Sequence, residues 1–166
     1  MKMNPGLRRF ALTTHVTFSV GWLGAVVAYL TLAIAALSSI DAQIVRASWI
    51  AMKLTGWFAI VPLAVAAFLT GLIMSLGTAW GLFRHYWVLF KLLLTVFATT
   101  ILLLHMPTVS YLAGIATKTN DADLGGLPSE LLHPGAGLFM LLVITILAVY
   151  KPRGLTPYGW RKRHET

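Results

Sequence analysis

Four stretches of this chain are each apolar over a length that crosses a bilayer, and that restricts it to very few folds. A hydrocarbon core of roughly 30 Å takes about 20 residues of helix, and inside lipid the backbone must satisfy its own polar groups, as a helix does. The stretches lie at about 11–37, 49–83, 87–106 and 134–150, the second with its clearest core from Thr55 to Leu76. They predict an all-α fold: a four-helix transmembrane bundle forming one domain, followed by a basic tail over 151–166. The first stretch follows "MKMNPGLRR", where a signal peptide would begin, but its apolar run is longer than a signal's and reads as a helix. Pro62 predicts a kink in the second helix and Pro107 a stop or bend in the third, while Pro134 suits a first helical position.

With 58% hydrophobic and 11% charged residues, the chain falls outside the range of soluble domains. It has no soluble module to carry a nucleic-acid surface, so its formal charge of +8 reads as membrane topology. Lys2, Arg8, Arg9, Arg84, Lys151, Arg153, Arg161, Lys162 and Arg163 fall on the side shared by the termini. Arg46, Lys53 and Lys118 fall opposite, with Asp41, Asp121, Asp123 and Glu130. Both termini are therefore expected in the cytoplasm of a multi-pass protein of a bacterial-type inner (plasma) membrane, with the lipid bilayer as its partner. The segment "LAGIATKTNDADLGGLPSELLHPG" is expected to be a solvent-exposed loop. Trp49, Trp57, Trp80 and Trp87 read as interfacial aromatics, and Gly24, Gly71 and Gly77 as packing or turn residues. Without cysteine, disulfides, thiolate sites and iron–sulfur clusters are excluded, which leaves His, Met, carboxylates and backbone as metal ligands.

The residues that invite chemistry are ionisable groups inside the apolar runs, which are costly there unless paired, liganded or hydrated. On the third helix Lys91, Thr95, Ala98, Leu102 and His105 share one stripe, with Lys91 and His105 about 21 Å apart along the axis. On the first, His15, Ser19, Trp22 and Val26 share a face, with His15 at the depth of Lys91. His85 adds a third group on the cytoplasmic side and His133 one on the outer side, while His164 in the tail is expected in solvent. Imidazoles facing one another between helices hold b-type haem, and interfacial Lys or Arg suits its propionates. No two histidines have an HxxxH or HxxH spacing, so any ligand pair joins different segments. The bland alternatives are a snorkelling Lys91, a His105 bonded to a carbonyl, and loop histidines at His85 and His133.

At these residues the chain resembles a known superfamily. "HVTFSVGWLGA", with His15 and Trp22, resembles the first helix of HemJ-type protoporphyrinogen oxidases and CopD-type copper membrane proteins. "YWVLFKLLLTVFATTILLLH" is similar to their third helix, with Lys91 at the expected lysine, and "LAVYKPRG" to the end of the HemJ-type fourth. The first helix departs from the HemJ type in running on as "AVVAYLTLAIAALSS", with Tyr29 and no arginine. The resemblance thus implies a relative of the superfamily, with His15 and Lys91 as its haem- or porphyrin-site residues.

The expectation taken forward is a haem b protein with a redox role, in electron transfer or porphyrin oxidation; as an enzyme it would be a membrane oxidoreductase. His15 is the first metal ligand and His105 the second, each with its own partner, His85 on the inner side and His133 on the outer. Lys91 is the candidate catalytic residue and holds a propionate or porphyrin carboxylate. A redox partner or a homo-oligomer fits this role. The alternatives are a copper-handling permease using His105, Met106, His133 and Met52 or Met140, and a non-catalytic scaffold.

Overall fold

The computed structural model describes residues 3–77 and 81–164, without the side chains of 162–164. Lys2 and Trp80 lie outside the described residues, as do the side chains of Lys162, Arg163 and His164. Helix α1 (Pro5–Ser38) starts where Asn4 accepts a hydrogen bond from the Leu7 N–H at 2.7 Å, with Pro5 in the first turn, where its missing donor is harmless. Helix α2 (Ala42–Thr55) is capped by Asp41, which accepts from Gln43 N–H at 2.8 Å. A π-helical turn (Gly56–Ile60) joins it to α3 (Val61–Gly77) without a break. Helix α4 (Tyr86–Ala116) follows, then a 3-10 turn (Asp121–Gly126), α5 (Leu132–Tyr150) and the short α6 (Pro157–His164).

Both prolines inside helices are absorbed. Pro62 has no N–H to donate, and one residue before it the Val61 N–H reaches back five residues to the Gly56 carbonyl, which is the wider π spacing. Pro107 does not stop the third helix, which continues to Ala116. The second helix begins at Ala42 instead of 49 and its α3 part ends at Gly77 instead of 83. The first and last apolar helices begin at Pro5 and Leu132.

Among the described residues, four helical runs are long and apolar enough to cross a membrane, so this is a multi-pass membrane protein with an all-α four-helix bundle. Their lengths differ. The runs of 34, 36 and 31 residues are about 51, 54 and 46 Å long, whereas α5, with 19 residues, is about 28 Å. Only α5 matches a hydrocarbon slab of roughly 30 Å. Residues 86–105 of α4 run alongside it, because His105 meets His133 near the start of α5. Everything on α4 after His105 therefore projects beyond the start of α5, and with it go α2 and the end of α1.

The four spans pack in the ring order α1, α3, α4, α5, each against its two neighbours, and α2 covers α1 and α4 on the projecting side. There Val45, Ser48, Trp49 and Met52 of α2 are buried with Val109, Leu112, Ala113 and Ala116 of α4 and Leu124 of the 3-10 turn. Trp49 is thus a core residue, not an interfacial one, and the segment expected to lie in solvent buries Leu124 and Glu130. Arg46 closes this layer: its guanidinium donates to the carbonyls of Ala116 and Thr119 at 3.2 and 2.6 Å and pairs with Asp121 at 2.6 Å. It so satisfies the end of α4. Gly71 and Gly77 pack as expected, against His15 and Met3, whereas Gly24 has open space around it.

At the other end the tail docks. Thr156 N–H donates to the Arg84 carbonyl and Tyr86 N–H to Gly154, while an antiparallel bridge joins His85 to Leu155. The Thr156 hydroxyl bonds the Phe83 carbonyl and accepts from Gly159 N–H, which caps α6.

Two outcomes follow. The chain has no cysteine, so Gly125→Cys, exposed and uncrowded, should react with an impermeant maleimide on intact cells. Arg153→Cys, also exposed, should react only after permeabilisation; the reverse pattern would invert the orientation read from charge. Arg46→Ala should lower unfolding stability in micelles by about 1–2 kcal/mol, since it strips charged hydrogen bonds from the α4 terminus.

Candidate functional site

The bundle interior carries polar groups in two layers. The inner layer joins α1, α3 and α4: His15 Nδ1 lies 3.0 Å from Thr70 Oγ1 and His15 Nε2 lies 3.4 Å from Lys91 Nζ. The hydroxyl of Thr70 has one proton, and it goes to the Ala66 carbonyl at 2.6 Å. Thr70 must then accept from His15 Nδ1–H, which leaves the Nε2 lone pair facing the Lys91 ammonium. Gly71 makes room for the ring: a Cβ there would stand 3.1 Å from His15 Cε1. The described carboxylates, Asp41, Asp121, Asp123 and Glu130, all belong to the far end, so Lys91 has the imidazole as its neighbour instead of an acid.

The outer layer gathers His105 of α4, Glu130 and His133 of α5. His105 Nε2 donates to Glu130 Oε2 at 2.7 Å, and the rings of His105 and His133 stack with centroids 3.6 Å apart and planes 16° from parallel. Glu130 is only 7% exposed. A carboxylate so buried needs a hydrogen-bond partner, and His105 supplies one. One ligand atom from each of the three lies within 4.8 Å of the others. Donors around a tetrahedral ion at about 2.1 Å stand about 3.4 Å apart, so small side-chain shifts would close the group on a metal.

Beneath this cluster lies a cavity of about 380 Å³ between α1, α4 and α5. Its walls are almost wholly apolar and include Trp22, Phe97, Leu102 and Met140, with His105 and His133 at the outer end. Along α4 it runs from Phe97 to Met106, about 13 Å. Tyr29 also lines it, 5% exposed, and its hydroxyl has no hydrogen-bond partner.

The sequence stripes point inward as expected: Thr95 is buried, Ala98, Leu102 and His105 line the cavity, and the α1 face runs from His15 through Trp22 and Val26 to Tyr29 and Ala33. The structure brings His15 to Lys91 and His105 to His133. It places His85 at the start of α4, bridged to Leu155 and tilted against Trp87, on the tail side of the bundle. Of the thioethers, Met106 and Met140 line the same cavity as His105 and His133, with Met106 also against Gly56, whereas Met52 is buried in the core of the projecting layer. Sequence reasoning missed Glu130, Thr70 and Tyr29. Glu130 carried a signal in its i, i+3 spacing to His133, and Tyr29 continues the His15 stripe.

The layers should respond separately. Lys91→Met keeps the apolar stem and removes the ammonium, so it should shift the ring ¹⁵N resonances of His15 in micelles and leave those of His105 and His133 in place. Movement of all three would mean that the layers form one coupled network.

Comparison with protein-family models, curated proteins and solved structures finds no match, so the reading of function rests on the chemistry of these groups.

Proposed function

We propose that this protein is a membrane oxidoreductase that holds a first-row divalent metal ion, iron(II) by preference, through His105, Glu130 and His133 at the outer boundary of the bacterial inner membrane. The observation that carries the reading is the convergence of those three ligand atoms within 4.8 Å at the head of an apolar cavity. Two imidazoles and a carboxylate suit non-haem iron and also zinc, whereas copper(I) favours softer thioether ligands. Three protein ligands leave coordination positions open, and the space for them is the cavity.

Haem was the expectation from sequence. Two imidazoles that serve one haem iron point at each other from opposite faces of the porphyrin, whereas His105 and His133 lie stacked side by side. At the inner layer the free lone pair of His15 already faces Lys91. Both arrangements favour a single ion over a macrocycle. The orientation that makes this boundary the outer one comes from the charge bias alone.

Equilibrium dialysis of the purified protein against iron(II) under anaerobic conditions, followed by metal analysis, tests the reading. About one ion per chain is expected, and both His105→Ala and Glu130→Gln should weaken binding at least about tenfold. A wild type that takes up neither iron(II) nor zinc would reduce the cluster to a buried ion pair. A Soret band lost in His15→Ala would restore the haem reading.

A further inference from the structure

The end of the bundle that carries the termini is a basic surface. Among the described residues it holds Arg8, Arg9, Arg84, Lys151, Arg153 and Arg161 and no acid, since Asp41, Asp121, Asp123 and Glu130 lie at the far end. Charge alone would serve topology. Here, however, the tail is also fixed in place. Thr156 is 5% exposed and its N–H donates to the Arg84 carbonyl at 3.1 Å, while Tyr86 N–H donates to the Gly154 carbonyl at 3.3 Å. Gly159 is buried so close to the Arg84 carbonyl that a Cβ there would collide with it. A tail that served only as topogenic charge would need none of these contacts.

The docking leaves an open cleft of about 530 Å³ lined by Tyr86, Leu155, Thr156, Pro157, Trp160 and Arg161. Tyr86 is 46% and Trp160 60% exposed, and the exposed Arg161 has its Nε 3.5 Å from the Pro157 carbonyl. Phenol and indole rings favour the boundary between lipid and water. The cleft belongs at that depth: α4 begins with Tyr86, and α5, whose 19 residues are about the length that crosses hydrocarbon, ends at Tyr150 just before the tail.

We propose that this cleft binds an anionic phospholipid from the leaflet on the side of the termini, with the headgroup phosphate on the Arg161 guanidinium and the glycerol end of the lipid against Tyr86 and Trp160. A guanidinium presents a fork of N–H donors that matches phosphate oxygens. The cations around it enrich anionic lipid at this face, and no described acid opposes them. A lipid is the occupant because the cleft joins exposed rings to a cation beside the first turn of a spanning helix; a soluble anion would use the cation and leave the rings in water. The assignment does not rest on the metal centre, which lies at the opposite end of α5.

The probe is a phosphatidylglycerol with a photoactivatable diazirine at the glycerol end of one acyl chain, titrated into phosphatidylcholine nanodiscs that hold the full-length protein, with crosslinks mapped by peptide mass spectrometry. Labelling should saturate, fall on the first turn of α4 and on 155–161, and yield to unlabelled phosphatidylglycerol but not to added phosphatidylcholine. Arg161→Gln should raise the half-saturating mole fraction about fivefold, the effect of one cation near the lipid surface. Gly159→Val keeps every charge but cannot seat α6 on the Arg84 carbonyl, so it should lose as much, while helical circular dichroism reports that the four spans are intact. Labelling that phosphatidylcholine displaces as well as phosphatidylglycerol does would overturn the proposal and leave the basic face to topology. So would wild-type labelling in Gly159→Val. A loss in Arg9→Gln equal to that in Arg161→Gln would mean diffuse attraction and overturn the cleft. Displacement by inorganic phosphate beyond that by chloride at equal ionic strength would make this a soluble-anion site and overturn the lipid assignment.

Discussion

Lipid leaves no backbone group to be satisfied by solvent, and α5 is the helix whose length answers to that constraint. Its 19 residues cover the slab and no more. The other three runs overshoot, and because His105 meets His133 near the start of α5, the excess of α4 is displaced to one end. There it meets α2 and the end of α1, and the three make a packed layer beyond the start of α5 with Met52 and Val109 fully buried. Alongside α5 the interior is built from small residues and polar contacts, with Ala64 fully buried and His15 beside Thr70 and Lys91, as expected where lipid is as apolar as the protein. The cavity lies between α1, α4 and α5, next to the packed layer.

Charge follows the same division. The described acids lie at the projecting end, where Asp121 holds Arg46 and Glu130 holds His105. The inner layer has none, so its cation and its imidazole have each other and a threonine hydroxyl. That difference fixes what each layer can do. A set with a carboxylate and two imidazoles attracts a cation, whereas a lysine with an imidazole lone pair holds or passes a proton. Their separation of about 21 Å along α4 keeps them from sharing a small ligand.

The spans, the inward stripes and the equivalent depth of His15 and Lys91 were legible in the sequence, because a helix in lipid shows its period directly and an ionisable group there stands out against carbon. The proline effects were not. Pro62 and Pro107 break soluble helices, but a π turn or the surrounding helices can absorb them, and that depends on neighbours the sequence does not display. Trp49 illustrates the same limit, since nothing local separates an interfacial indole from one buried in the layer beyond the start of α5. Glu130 was hidden by its setting. In a polar, glycine-rich segment an acid reads as solvated, and only the fold, which lays 121–126 on α2 and Glu130 against His105, reveals that it is buried.

The apolar cavity and the polar cluster above it constrain each other. A cavity open to the bilayer does not stay empty, because acyl chains reach it at little cost and restore the dispersion contacts its walls lack. Its volume alone therefore says nothing of a ligand. What an acyl chain leaves unchanged is any open coordination position of an ion held by His105, Glu130 and His133. That demand falls at one end of the apolar space, where His105 and His133 line it, and an occupant with a single polar end and a carbon body meets it. Helix α5 joins the two: it carries His133 at the cluster and, four residues later, Gly137 on the cavity wall.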